Sequence, residues 1–368
     1  MSIGQATLDA AAKQLATALR PVILIGPEGA TAAARLLQIA ERLGAAVLTT
    51  PDAKSLVDHH HSCGTFSFGA SLLARRVMEQ ADVVLAVSAL GEFACRLGQA
   101  FDRHTLIQVT ERASDVGRSV EPAIALVGPD LAATVQRLQT ALVELGTPSR
   151  EPWFAELSRQ LPRMSPLSLR PGLIHPVAAI SAVQAALPAA SRVCLDVTSG
   201  ALHAYEHLRL TTSQRAFSSI ENGACMSEAL MASVGVRIAS NLPTLTIVGD
   251  WGYCMAPAEL HSAVELGLGR YVVLVWANSG GAFIGAGVKQ QGIVVPDDVW
   301  RWKSPPRFAQ VARAYGARGV TVHDAATLQS ELARALRAKR PVLIEAMIDP
   351  DIPVPAGDRF LTLGDAQS

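Results

Sequence analysis

The chain has 368 residues, of which 49% are hydrophobic and 17% charged, and its formal net charge is zero. That length accommodates two or three domains with real cores, and the composition excludes a disordered or fibrous chain. The charge balance, without any basic tract, argues against capture of nucleic acid or an anionic membrane, and no apolar run reaches the length of a bilayer span.

Short β-branched runs alternate with Ala-rich helical stretches, the pattern of parallel α/β sheets. A helix is expected over 7–19, stopped by Pro21. VILIG (22–26) reads as a buried strand, GPEGA as a Gly-rich turn, 31–43 as a helix and AAVLTT (45–50) as a strand. After a loop come a helix over 72–80, the strand DVVLAVSA (82–89), a helix over 93–101, the strands TLIQVT (105–110) and AIALVG (123–128), and a helix over 131–145. Residues 147–173 hold five prolines and read as a linker carrying one short helix. The alternation then restarts: helix 176–186, strands RVCLDV (192–197) and AFSSI (216–220), helix 225–239, strand LTIVGD (245–250), helix 257–266 and strand YVVLVWAN (271–278). A long loop over 279–305 is followed by helix 307–315, strand GVTV (319–322), helix 326–338 and strand PVLIEAMI (341–348). The expected architecture is two Rossmann-like open parallel-sheet α/β domains in series, over 1–148 and 174–350, with a linker over 149–173 and an irregular tail over 351–368. The low charge leaves apolar surface for a subunit interface. Five scattered cysteines without a CxxC pair, and a start that lacks a signal-peptide core, point to reduced thiols in a cytoplasmic protein.

Two strand ends carry the chemistry. Asp250 directly follows the run 245–248 and Gly249, and Asn278 directly follows the run 272–277. In open parallel sheets, ligands bind beyond the carboxyl ends of strands. One carboxylate and one amide oxygen suit Mg²⁺ or Ca²⁺ rather than zinc, and Mg²⁺ completes its shell with phosphate oxygens and water. Gly249, Gly252, Gly280 and Gly281 allow backbone to approach a diphosphate, and a helix starting near Met255 would aim its N-terminus at the same anion. The competing reading is structural: Asp250 caps a helix and Asn278 makes a turn.

The stretch GDWGYCM…WANSGG resembles the GDG…NN motif of thiamine-diphosphate enzymes of the acetolactate synthase and benzoylformate decarboxylase superfamily. The resemblance implies Mg²⁺ held by Asp250, Asn278 and the carbonyl of Gly280. Two positions depart from the motif: Trp251 stands for its third glycine, so the indole must point away from the diphosphate, and Ala277 stands for its first asparagine. DVTSGALH resembles the terminal-phosphate segment, which implies Thr198, Ser199 and Gly200. SIENGACMSEALMASVGV resembles the segment whose bulky apolar residue props the cofactor in its bent form; that residue is Met226, with Ala224 and Cys225 beside it. Glu221 and Asn222 occupy glycine positions, and Glu221 is either a substrate-reaching candidate or a solvated carboxylate. Substrate-wall candidates are Ser279, Ala282, Phe283 and Ile284. The first half resembles the superfamily's middle domain, whose Gly26–Gly29 turn lacks the spacing and the partner acid of a dinucleotide site. His59, His60 and His61 lie beside Cys63; adjacent residues on an extended loop face opposite sides, which favours a structural or substrate-rim role over a metal cluster.

The resemblance spans nearly the whole chain but only two of three family domains. The pyrimidine-binding domain and its glutamate find no counterpart here, so catalysis is expected to need a small partner subunit in a hetero-oligomer, two copies of each. The resemblance then implies a lyase or carboligase acting on a 2-oxo acid or acyloin, nearly inactive as a lone chain. A non-catalytic cofactor-binding or regulatory homologue is the alternative, and a Mg²⁺-dependent phosphate-ester enzyme a third.

Overall fold

The computed structural model describes residues 3–67, 71–91, 101–160, 170–220 and 223–355. Two compact units divide the chain, residues 1–163 and 164–368. Both are parallel-sheet α/β folds.

In the first unit, β1 (Pro21–Ile25), β2 (Ala46–Thr49), β3 (Val83–Val87), β4 (Thr105–Thr110) and β5 (Ile124–Val127) form a sheet in the order β2-β1-β3-β4-β5. Every residue of β1, β2 and β3 is buried, which is why these segments read as unbroken apolar runs: a parallel sheet is covered on both faces. Alternate residues serve opposite cores. Ile23, Ile25, Leu85 and Val87 join the helices Gln5–Thr17, Ala33–Leu43 and Leu131–Glu144, whereas Val22, Leu24, Val84 and Ala86 join Leu72–Gln80 and the aromatic pair Trp153–Phe154. The expected short linker helix is Ala155–Arg159, and just before it the Trp153 indole donates to the Pro21 carbonyl at 2.9 Å. The helix expected over 93–101 lies almost wholly outside the described residues.

In the second unit, β6 (Ser191–Leu195), β7 (Gln214–Ser218), β8 (Thr244–Gly249), β9 (Tyr271–Ala277), β10 (Arg318–Val322) and β11 (Val342–Met347) form a parallel sheet in the order β10-β11-β9-β8-β6-β7. From β6 the chain steps to β7 on one side and then returns to β8 on the other. The topological switch point, where a doubly wound sheet opens a crevice, therefore lies at the carboxyl ends of β6 and β8.

Three local expectations change. The helix near Met255 begins earlier: it runs Asp250–Met255, so Met255 ends it and is exposed, and Asp250 itself occupies the first turn. A helix at Ser199–His207 escapes periodicity because its first seven residues are all buried and no polar face exists to set a 3.6-residue repeat. The expected loop 279–305 contains the helix Ala282–Gln290. The Trp300 ring sits 2.6 Å from where a Cβ on Gly285 would be, so glycine there serves packing rather than flexibility.

Candidate functional site

The carboxyl ends of β6, β8 and β9 converge. Asp250 is 3% exposed. Its Oδ1 accepts from its neighbour Trp251 N at 2.8 Å and its Oδ2 from Gly280 N at 2.7 Å, so the β8 end is clasped to the turn after β9. Burial pushes the Asp250 carboxyl up to about 6, against the opposing pull of the Gly280, Trp251 and Asn278 amides. Asn278 is 6% exposed, and its Nδ2 donates to the Ser199 hydroxyl at 3.1 Å, which turns its Oδ1 to the other side. Thr198 caps the helix Ser199–His207 by accepting from Gly200 N, and a Cβ on Gly249 would come within 2.9 Å of the Thr198 Oγ1. Asp250, Asn278, Gly280, Thr198, Ser199 and Gly249 are thus brought together at the switch point.

The turn after Asn278 is built by three residues and a second strand segment. Ser279 has φ 68° and Gly280 φ 125°, a conformation that only glycine adopts without strain. Gly280 bridges Arg301 in antiparallel fashion, Gly281 N donates to Trp300 O at 2.7 Å, and Trp302 N donates to Ser279 O at 2.9 Å. Arg301 lies over the Trp300 ring and pairs with Asp351 at 2.7 Å; Asp351 also takes Arg170 at 2.6 Å, and Arg170 reaches the buried Asp349 at 2.8 Å. The Gly280 carbonyl already accepts from Ala282 N at 2.9 Å and keeps a second lone pair. Trp251 is accommodated by Gly281: a Cβ there would lie 2.9 Å from the outer edge of the indole. The indole therefore lies against the Gly281 backbone. Ala282 is buried, Phe283 half-buried, and Ile284 exposed.

Gly200 has a packing reason of its own, since a Cβ there would meet the Trp276 ring at 2.8 Å. Met226 is half-buried in a turn where Gly223, Ala224 and Ser227 all have positive φ (97°, 54° and 72°); Cys225 is exposed. Two non-glycine residues in the left-handed region within four positions is backbone strain of the kind that concentrates at functional turns. Glu221 and Asn222 lie outside the described residues. His59, His60 and His61 form a short 3-10 turn with edge-on rings, and among the described residues no group of three or more His, Cys, Asp or Glu side chains is disposed to hold a metal.

One functional candidate escaped the sequence reading. Asp196 ends β6 as Asp250 ends β8, and it is fully buried. It accepts from Ser227 N at 2.9 Å and Ala229 N at 3.1 Å, and burial pushes it up to about 6. The signal was present: an acid directly after an apolar run, the same signal that singled out Asp250.

The donor set suits a hard divalent cation beside a diphosphate. Side chains from two strand ends, Asp250 after β8 and Asn278 after β9, meet at the Ser279–Gly280 turn, the buried carboxylate bonds backbone amides, and Ser199 bonds Asn278 while Thr198 packs against Gly249.

The family model for the thiamine pyrophosphate enzyme central domain matches residues 8–138, and that for the C-terminal thiamine-pyrophosphate-binding domain matches residues 196–346. The chain is 26% identical over 359 residues to an acetolactate synthase large subunit of Parasynechococcus marenigrum (strain WH8102), an alignment covering 93% of this chain and 56% of that protein. It is 27% identical over 355 residues to a probable 2-ketoarginine decarboxylase of Pseudomonas aeruginosa, covering 92% and 60%, and 26% identical over 344 residues to a benzoylformate decarboxylase of the same species, covering 90% and 62%. The chain spans about three fifths of the length of these relatives.

Proposed function

The chain belongs to the thiamine pyrophosphate enzymes of the acetolactate synthase and decarboxylase superfamily, and we propose that it supplies the diphosphate- and Mg²⁺-binding half of an active site that breaks or forms a carbon–carbon bond beside a carbonyl. The observation that carries this reading is the clasp of Asp250 to Gly280 with Asn278 and Ser199 alongside. Asp250, the Asn278 amide oxygen and the Gly280 carbonyl would hold the cation, and Thr198 and Ser199 the terminal phosphate. Met226 is the prop beneath the bent cofactor. Ala282 and Phe283 lie toward the substrate. Thiamine diphosphate, when bound, supplies an electron sink for that bond. The substrate class is a 2-oxo acid or an acyloin.

The carboxylate that works on the pyrimidine ring is assigned to a pyrimidine domain on a small partner subunit. The two buried acids at the switch point, Asp196 and Asp250, are both committed to backbone amides, which is consistent with that assignment. A two-plus-two hetero-oligomer is the expected assembly, because a closed two-fold pairs such sites. A cytoplasmic location accords with Cys63, Cys194, Cys225 and Cys254 being free, and no helix among the described residues is long and apolar enough to cross a membrane.

The test is turnover of 2-oxo acids, by decarboxylation or carboligation, for the purified chain and for the chain co-expressed with a pyrimidine-domain protein. Activity that depends on the complex is expected, since general acid–base help of this kind is worth about 10²–10⁴-fold. Cofactor binding without turnover in any complex would instead favour a non-catalytic, regulatory homologue.

A further inference from the structure

Asp196 is a fully buried acid with no cation among its described partners. Its carboxylate takes the Ser227 and Ala229 amides, the first turn of the helix Glu228–Ser240. Ser227 in turn donates its hydroxyl to the Gly252 carbonyl at 2.7 Å, inside the helix that Asp250 opens. Gly252 makes this approach feasible, because a Cβ there would stand 2.7 Å from the Asp196 Oδ2. Three chain segments therefore meet on one carboxylate: the end of β6, the turn carrying Met226, and the helix carrying Asp250.

We propose that Asp196 is a positioning residue for the cofactor pocket, fixing through Ser227 and Gly252 where Met226 stands relative to Asp250. This role rests on the pocket assigned above. It explains why the turn tolerates left-handed Ala224 and Ser227. A charge-assisted bond to the Ser227 amide holds the strained conformer. It also gives Gly252 a reason distinct from approach to a diphosphate. Asp196 touches neither substrate nor cofactor in this scheme; it acts through the turn.

The experiment uses the 368-residue chain with Asp196→Asn and Asp250→Ala, probed with thiamine diphosphate plus Mg²⁺. An asparagine keeps the shape but presents its NH₂ to one of the two amides. Amide exchange at Ser227 and Ala229, without cofactor, is expected to accelerate by about tenfold or more in Asp196→Asn and to stay near wild type in Asp250→Ala. On titration with cofactor, Asp196→Asn is expected to keep its Kd within about threefold while the part of the fluorescence change at saturation that Trp251→Phe removes differs from wild type, because the helix carrying Trp251 is no longer held. A purely structural role would lower thermal stability and leave that saturated signal alone. A second measurement guards against misfolding: Gly252→Ala is expected to be less damaging in an Asp196→Ser background than in the wild type, since the colliding oxygen is moved. Wild-type exchange and an unchanged saturated signal in Asp196→Asn would overturn the proposal, and so would additive damage in the double variant. If Asp250→Ala binds the cofactor as well as wild type, the pocket assignment fails and takes the positioning role with it, whereas the exchange result still reports on the clasp itself.

Discussion

The two sheets share a design and differ at the one place where it matters. Each reverses direction around a central pair of strands, β1 and β3 in the first unit, β6 and β8 in the second, and each therefore has a switch point. In the first, the switch point is shut by backbone. Gly26 N donates to Val87 O at 2.9 Å, a Cβ on Gly26 would fall 1.6 Å from Ser88 O, and Ser88 turns to φ 50° and bonds the Glu28 carboxylate. In the second, Asp196 N likewise donates to Ile247 O at 3.0 Å, but side chains rather than backbone fill the close approaches, with Thr198 against Gly249 and Asp196 against Gly252, and acids and hydroxyls line the place. A fold's ligand site is thus a matter of what occupies the switch point. A carboxylate at the mouth of the first crevice repels phosphate; in the function proposed above, the amide-clasped carboxylate of the second would take a cation that brings phosphate with it.

The strongest way to break this contrast is Gly26→Ala. A methyl group directed at a backbone oxygen has no rotamer to escape into, and a loss of about 3 kcal/mol or more in urea unfolding is expected. Wild-type stability would mean that the first crevice opens easily. Next is Asp250→Ala, which removes the charged ligand proposed for the cation: affinity for thiamine diphosphate with Mg²⁺ should fall about 100-fold, roughly 2.8 kcal/mol, by calorimetry. Equal affinities would erase the distinction between the two switch points.

The pH dependence sharpens the comparison. Asp196 and Asp250 both rise from 3.8 to about 6 on burial. A folded-state carboxyl raised above its unfolded value binds more protons folded than unfolded, so its contribution to stability is complete below about 4 and declines as pH climbs through about 6. Each acid accounts for at most about 3 kcal/mol. Urea unfolding of the second unit without Mg²⁺ should therefore weaken between pH 4 and 6, and added Mg²⁺ should restore stability above that window. A flat profile would show that the acids are solvated. Met226→Ala comes next: about tenfold slower turnover in the reconstituted complex, with cofactor affinity within about threefold, because only the geometry of the reacting groups is lost. The smallest effect is expected at Glu28→Gln, about 1 kcal/mol of stability or less for an exposed pair, and no nucleotide affinity gained, since the Gly26–Ser88 contact still fills the crevice.

Strands were legible because burial on both faces writes them as apolar runs: 82–89 and 271–278 contain their strands, and 22–26 and 245–250 each miss only the first residue, Pro21 and Thr244. Helices were legible where they have a polar face. They failed where burial removed that face, at Ser199–His207, and where packing demanded glycine, at Gly285. Asp250 and Asn278 could be read from their place after a strand, and Ser199 from family likeness. Asp196 carried the same mark and was passed over because its partners, Ser227 and Gly252, are distant in sequence and join it only through backbone amides and a missing Cβ. Hydrogen bonds to main chain leave no trace in residue identity.

The ionic chain Asp349–Arg170–Asp351–Arg301 has a consequence for how the pocket's two walls respond to solution conditions. Asp351 and Arg301 are 47% and 29% exposed, while Asp250 is 3% exposed. Exposed pairs weaken with ionic strength, as the screening length shrinks from about 8 Å at physiological salt to about 3 Å at 1 M, whereas bonds between a buried carboxylate and amides barely notice. The stretch 300–302 that braces Gly280 and Gly281 is therefore anchored by salt-sensitive contacts on its outer side and by salt-insensitive ones on its inner side. Raising potassium chloride should loosen the brace from outside inward, so that ionic strength becomes a dial on the segment 279–284 that leaves the Asp250 clasp intact.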